Sequence, residues 1–79
     1  MLERRRAGEP GAPLELFVIY EGPREFPGHF VVRRWENDVP TGDFALAPSL
    51  DAARAEVPRG LFWIPRSPED QAHIVEVWL

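Results

Sequence analysis

The side chains able to do catalytic chemistry are few in this sequence, and their spacing does not suit it. Ser49 and Ser67 are the only serines, and each stands where a serine caps the start of a helix or turn. His29 and His73 are the only imidazoles, and neither an H-x-H nor an H-x-x-x-H spacing joins them into a metal site. The sequence therefore predicts no catalytic, cofactor-binding or metal site, and a protein that is not an enzyme.

Binding chemistry is offered by the stretch HFVVRRWE, residues 29–36, in which two arginines precede a tryptophan. Alternation along a strand places Arg34 on one face, and Arg33 and Trp35 on the other. In the simplest interpretation Trp35 packs in or at the edge of the core. The arginine stems then cover apolar surface, and their charged heads pair with acids such as Glu15 or Glu21 on a neighbouring strand.

Two functional interpretations of Arg33 and Trp35 stay open beside that structural one. Tryptophan and arginine are the residue types most enriched at the energetic centres of protein interfaces, so the pair could contact a protein partner. Stacking on nucleic-acid bases is the second alternative, but the stretch contains no ribonucleoprotein-type motif.

Prolines and glycines mark the ends of the secondary-structure elements that must position these residues. Strands are predicted at residues 14–20, 29–36, 60–65 and 73–79, with "NDVPTGD" as a turn. "FALA" is predicted to be a short extended piece, and its pairing with the sheet is left open. A short helix is predicted between Ser49, as its N-cap, and Pro58. The prediction is one α+β domain over residues 14–79, with an antiparallel or mixed sheet of about four strands and one short helix on one face. Residues 1–13 are predicted to be a disordered tail.

The strand patterns leave a surface without an obvious cover. Both faces of the first and last strands are apolar, and one short helix cannot cover a sheet on two sides. In the last strand we expect Val75, Val77 and Leu79 to point inward, with Ile74 and Trp78 on the opposite, undercovered face. The predicted partner-binding residues are Ile74 and Trp78 on this face, together with the arginine and tryptophan of the second strand, Arg33 and Trp35.

Charge and composition narrow the classes of partner. The chain has 79 residues, no cysteine and a formal net charge of -4. Residues 1–13 hold three arginines and two glutamates, which leaves -5 for the remainder. An acidic domain argues against direct nucleic-acid binding, which needs positive charge to displace counterions. The lack of cysteine fits a reducing cytoplasm, and no apolar run approaches the length of a membrane span.

The segments "LFVIYEGPREFPGHFVVRRWE" and "VPRGLFWIPRSPEDQAHIVEVWL" resemble a group of small bacterial proteins of unknown function. The shared pattern is a Phe-Val-Ile-Tyr strand, a Phe-Val-x-Arg-x-Trp strand, an Ile-Pro-Arg segment and a closing Ile-Val-Glu-x-Trp-Leu. The resemblance covers residues 17–79 and implies a stand-alone domain. It implies no activity, cofactor or site.

Two functional hypotheses follow from the sequence. The leading one is a non-enzymatic protein–protein interaction module that self-associates through the uncovered apolar sheet face. The alternative is an acidic inhibitor that imitates nucleic acid, as anti-CRISPR proteins do, and binds a nucleic-acid-handling protein. The alternative requires acids such as Glu21, Glu25, Glu36, Asp38 and Asp43 to cluster on one surface without interspersed arginines.

Overall fold

A computed structural model describes residues 1–5, 8–22, 24, 26–64 and 73–79 of the chain. It contains five strands and one helix: β1 Glu15–Glu21, β2 Phe30–Glu36, β3 Val39–Ala47, α1 Leu50–Ala55, β4 Trp63–Ile64 and β5 Ile74–Trp78. The strands form one sheet in the order β3-β2-β1-β5-β4, and all neighbours are antiparallel. The predicted α+β class is confirmed, but the sheet has five strands rather than about four.

Strand β3 accounts for the difference in strand number. The sequence predicted a turn over residues 37–43, but only Asn37 and Asp38 form it, and β3 begins at Val39. Asn37 has a φ of 46°, a left-handed conformation that asparagine tolerates better than most residues. Pro40 can lie within β3 because this strand is at the edge of the sheet, where a missing backbone N–H breaks no ladder between inner strands.

The helix packs on one face of the sheet and encloses the core there. Phe17 and Ile19 of β1 and Val32 of β2 are fully buried, and they form one cluster with Ala53 of the helix and Val57 beyond it. We call this side of the sheet the helix-bearing face and the other side the open face. At six residues α1 is too short to be stable alone, so its position depends on this packing.

Serine caps α1 as the sequence predicts. The Ser49 hydroxyl accepts a hydrogen bond from the backbone N–H of Ala52 at 3.1 Å, and Ser49 itself has an extended backbone conformation. Ser67, the other predicted cap, lies outside the described residues.

Replacement of Ser49 with alanine should lower the free energy of unfolding by about 1 kcal/mol, because one orphan N–H of the first helical turn loses its acceptor. Chemical denaturation of the variant and the parent protein measures the difference. Replacement of Ser49 with glycine is the control, and it should cost only a few tenths of a kcal/mol. A larger loss for glycine than for alanine would contradict the capping role.

The first residues of the chain also contact the helix-bearing face. The backbone N–H of Leu2 donates to the carbonyl oxygen of Glu56 at 2.8 Å, and the Leu2 side chain packs against the core cluster. The disorder predicted for residues 1–13 stays a prediction. Among the described residues, no helix has the length and apolar character needed to cross a membrane.

Candidate functional site

The structure places three of the four predicted partner-binding residues on the open face. Arg33 pairs with Val18 of β1, and Trp35 pairs with Leu16. Both therefore lie opposite the helix, as the strand alternation predicted. Ile74 of β5 pairs with Tyr20, which belongs to the same face.

Trp78 is the exception, and its predicted position was wrong. It pairs with the fully buried Phe17 and packs against the core, so it lies on the helix-bearing face. The pairing of β1 with β5 shifts between Ile19 and Tyr20, which makes Val75 an extra residue in β5. A residue inserted in this way reverses the alternation beyond it, so Ile74 and Trp78 lie on opposite faces.

The same shift corrects the predicted inward row of the last strand. Val77 pairs with Val18 and therefore lies on the open face, whereas Val75 packs against the core cluster at the irregularity. Leu79, whose backbone exchanges two hydrogen bonds with Phe62, is 39% exposed rather than buried. The side chains predicted to supply the core thus contribute in part to the surface.

The open face consists of rows of side chains that cross the sheet. The central row is Phe44, Arg33, Val18, Val77 and Ile64, and the flanking rows are Leu46, Val31, Tyr20 and Ile74 on one side and Pro40, Trp35 and Leu16 on the other.

Exposure is unequal across these rows. Val18 and Val31, at the middle of the face, are nearly inaccessible to solvent. By contrast, Phe44 and Leu46 on β3 are 41% and 44% exposed, and Ile64 on β4 is 37% exposed. The uncovered apolar surface of this face therefore lies toward its two edges. Phe44 also contacts the Phe26 ring, with 5.9 Å between the ring centroids.

Arg33 is the one charged residue in these rows, and its head lies away from their centre. The guanidinium donates through Nη1 to the carbonyl oxygen of Thr41 at 2.7 Å and stands 4.8 Å from the centroid of the Phe44 ring. Thr41 and Phe44 both belong to the edge strand β3. The charge is consequently at the rim of the open face, where a cation over an aromatic ring is favourable.

Trp35 is half-buried on the open face. Its indole nitrogen is buried and has no hydrogen-bond partner among the described residues. The Tyr20 phenol is close enough to interact electrostatically with that N–H, although the two groups lack hydrogen-bond geometry. Burial raises the pKa of Tyr20 above its ordinary value of 10.0, while the Trp35 N–H and the Arg33 charge act in the opposite direction.

The helix-bearing face carries a cluster of charges that the sequence analysis anticipated only in part. Arg34 is buried and contacts the carboxylates of Glu15 at 3.3 Å, Glu36 at 2.7 Å and Asp43 at 3.0 Å. The predicted pairing of an arginine head with Glu15 is confirmed. Arg34 and, less strongly, Arg5 hold the pKa of Asp43 below its ordinary value of 3.8.

A second group of polar side chains surrounds a cavity of about 300 Å³ lined by Arg54, Glu76, Trp63 and Trp78. The buried Glu76 carboxylate accepts hydrogen bonds from the Arg54 guanidinium and, at 3.2 Å, from the Trp78 indole N–H. The hydrogen bond from Arg54 lowers the pKa of Glu76 most, burial acts in the opposite direction, and the bond from Trp78 lowers the pKa further. Because its acceptor positions are already engaged, Glu76 is arranged as a structural ion-pair partner rather than as a proton-transfer group.

The histidines occupy the positions that the sequence suggested for them. His29 and His73 are both exposed, each directly before a strand. Over the described ranges of the chain, no three His, Asp or Glu side chains converge in a way that could hold a metal ion.

No family model matches the chain, and no curated protein or solved structure is similar to it. The resemblance to small bacterial proteins therefore stays a prediction, and any function must be argued from the geometry of the chain itself.

Two features of the surface were not predicted from the sequence. The contribution of Phe44 and Leu46 to the open face was missed because "FALA" was predicted only as a short extended piece with no assigned strand partner, whereas it forms the second half of β3. The hydrogen bond between Arg5 and Asp43 was missed because no local pattern links residues 38 positions apart.

Proposed function

We propose that this protein is a non-enzymatic protein–protein interaction module that binds a second copy of itself through the open face. The observation that carries the proposal is the exposure of Phe44, Leu46 and Ile64 at the ends of apolar rows that continue across the sheet. Large apolar side chains that adjoin one another on a sheet face are typical of surfaces covered by another chain.

The dimensions of the face are compatible with a dimer. Twelve positions, on strands about 4.8 Å apart and rows about 7 Å apart, give a face on the order of 400 Å² per copy. Two such faces together cover at most on the order of 800 Å², which is the size of a weak, transient contact. We therefore expect reversible self-association rather than an obligate dimer.

The position of Arg33 fits this arrangement. A charge at the centre of an apolar interface would have to be desolvated, at a cost of several kcal/mol. The guanidinium instead lies over β3, at the rim, where it stays hydrated and keeps its bond to Thr41. A two-fold axis parallel to β1 places β3 of each copy over the β4 side of the other, and this separates the two Arg33 charges.

The distribution of acids supports this proposal over an acidic inhibitor that imitates nucleic acid. Glu36 and Asp43 both contact Arg34, and Asp51 lies 3.8 Å from Arg54. These acids are thus interspersed with arginines. Such a surface lacks the uniform negative field that a mimic of the phosphate backbone needs.

Replacement of Leu46 with lysine tests the proposal. We expect the parent protein to show a monomer–dimer equilibrium at high micromolar concentration in sedimentation velocity and light scattering. The new charge would be trapped between two apolar faces, so the dissociation constant should rise at least about tenfold, or about 1.4 kcal/mol.

Replacement of Val39 with lysine is the matched control. Val39 is 63% exposed and lies on the same strand, but it pairs with Glu36 on the helix-bearing side. This variant should dimerise like the parent protein. A monomeric parent protein at high micromolar concentration, or equal weakening by the two lysines, would refute the open face as the contact surface.

A further inference from the structure

Residues 1–5 are held on the helix-bearing face at two anchor points. At the first, Leu2 packs against the core cluster while its backbone N–H donates to the Glu56 carbonyl oxygen at 2.8 Å. At the second, the backbone N–H of Arg5 donates to Glu15 Oε2 at 2.9 Å, and the Arg5 guanidinium donates to both carboxylate oxygens of Asp43 at 3.3 Å. The contacts therefore involve backbone atoms as well as an aliphatic and a cationic side chain.

The second anchor point is built to receive positive charge. Glu15, Glu36 and Asp43 all contact Arg34, and the Asp43 carboxylate also accepts from the Arg5 guanidinium. The Glu15 side chain is only 3% exposed, yet one of its oxygens meets the Arg5 backbone. Because this buried carboxylate accepts a hydrogen bond from a backbone N–H, it fixes where the peptide backbone runs as well as favouring positive charge.

The side-chain ion pair at the second anchor point is exposed to solvent. The side chains of Arg5 and Asp43 are 58% and 31% exposed, so solvent screens this ion pair and it adds little to the binding of the segment. The connection to β1 over residues 6–13 contains two prolines and two glycines, a composition typical of linkers. A short linker gives an attached segment an effective concentration on the order of millimolar, which is the level a competing segment must overcome.

We infer that the surface at the two anchor points, formed by Glu56, Glu15 and Asp43 and called the groove, is a binding site for a peptide segment. In that segment an aliphatic residue is followed three positions later by an arginine, and residues 1–5 occupy the site in cis. The partner is another protein that carries such a basic segment. The cis segment competes with the partner and so sets the concentration at which the partner binds. The groove lies on the face opposite the proposed self-association surface, so the two proposals stand or fall separately.

The test uses the full chain with both anchors weakened, L2S/R5S, and a synthetic peptide of sequence MLERRR as the probe. Amide chemical shifts of isotopically labelled protein are followed as the peptide is added up to millimolar concentration. We expect saturable shifts around Glu15, Asp43 and Glu56 in the variant. In the parent protein the apparent affinity should be at least about tenfold weaker, because the cis segment competes.

Matched controls separate specific from general binding. A peptide with serine at its second and fifth positions should produce no saturable shifts. The variant E3S, altered in the same segment at an exposed residue without a hydrogen bond or ion pair in the described part of the chain, should behave like the parent protein. Addition of D43N to L2S/R5S should weaken the binding of MLERRR.

Three results would overturn the inference: no saturation by millimolar peptide, equal binding of MLERRR and its serine counterpart, or equal affinity in the parent protein and in L2S/R5S. If L2S/R5S does not fold, R5S alone keeps the Leu2 anchor and is read by the same criteria. Sedimentation of each variant reports self-association independently, so failure of one proposal is distinguishable from failure of the other.

Discussion

Replacement of Arg34 with leucine should lower the free energy of unfolding by about 3–5 kcal/mol, the usual cost when one partner of a buried ion pair is removed. Arg34 is 6% exposed and contacts three carboxylates, of which Glu15 is 7% exposed. The variant keeps the negative charges but loses the buried guanidinium that offsets them. Urea or guanidinium denaturation at neutral pH measures the loss.

Arg33 provides the matched control for Arg34. It is the preceding residue on the same strand, but its head is at the rim of the open face, where it contacts Thr41 and Phe44. Replacement of Arg33 with leucine should cost no more than about 1 kcal/mol. A double variant with both Glu15 and Arg34 as leucine should recover much of the loss, because an apolar pair can replace a buried ion pair. Equal losses at Arg33 and Arg34 would contradict the assigned burial.

The loss of folding stability at low pH should also change when Arg34 is replaced with leucine. The folded-state pKa of Asp43 is lowered chiefly by Arg34, so this ion pair contributes fully above the ordinary value of 3.8 and is lost as the pH falls through the lowered pKa. The parent protein should therefore lose stability as the pH falls below about 4. The R34L variant should lose less over that window, because the pKa of Asp43 is then nearer its unfolded value.

Local patterns of the sequence were sufficient to predict most of the elements. The aromatic and β-branched runs gave β1 and β2, and the Ser49 cap with Pro58 bracketed α1. In β2 the alternation assigned Arg34 to one face and Arg33 with Trp35 to the other, as the structure has them. These features could be predicted because each depends on neighbours a few residues away.

The errors arose where pairing between distant strands overrides the local pattern. Pro40 and Gly42 are typical of a turn, but they are accommodated in β3 because it is an edge strand. The extra residue Val75 reverses the alternation in β5 and moves Trp78 to the helix-bearing face. Neither an edge position nor a bulge can be deduced from one strand alone.

The same limitation applies to the candidate surfaces. Alternation assigned Arg33 and Trp35 to one face of their strand, and the pairing of the strands places Ile74 on that face with them. The groove around Arg34 was not foreseen beyond the pairing with Glu15. It draws Asp43 from β3 and Arg5 from the first residues, and only the completed fold brings those segments together.

Replacement of Phe17 with alanine should produce the second large effect, a loss of about 3–5 kcal/mol in the free energy of unfolding. Phe17 has no exposed surface and forms the core cluster with Ile19, Val32 and Ala53. A chain of 79 residues has a total stability on the order of 4–12 kcal/mol. The variant should therefore melt roughly 15 °C or more below the parent protein, and F17L should lie between the two.

Leu16 is the control, because it is the adjacent residue of β1 but lies half-buried on the open face. At low protein concentration, replacement of Leu16 with alanine should cost about 1–2 kcal/mol, well below the loss at Phe17. At high micromolar concentration the stability of the parent protein should rise if two open faces cover each other, because association stabilises only the folded chain. The penalty at Leu16 should then grow with concentration while the penalty at Phe17 stays constant. A concentration-independent penalty at Leu16 as large as that at Phe17 would mean that the open face is part of a closed core, and self-association through it would be excluded.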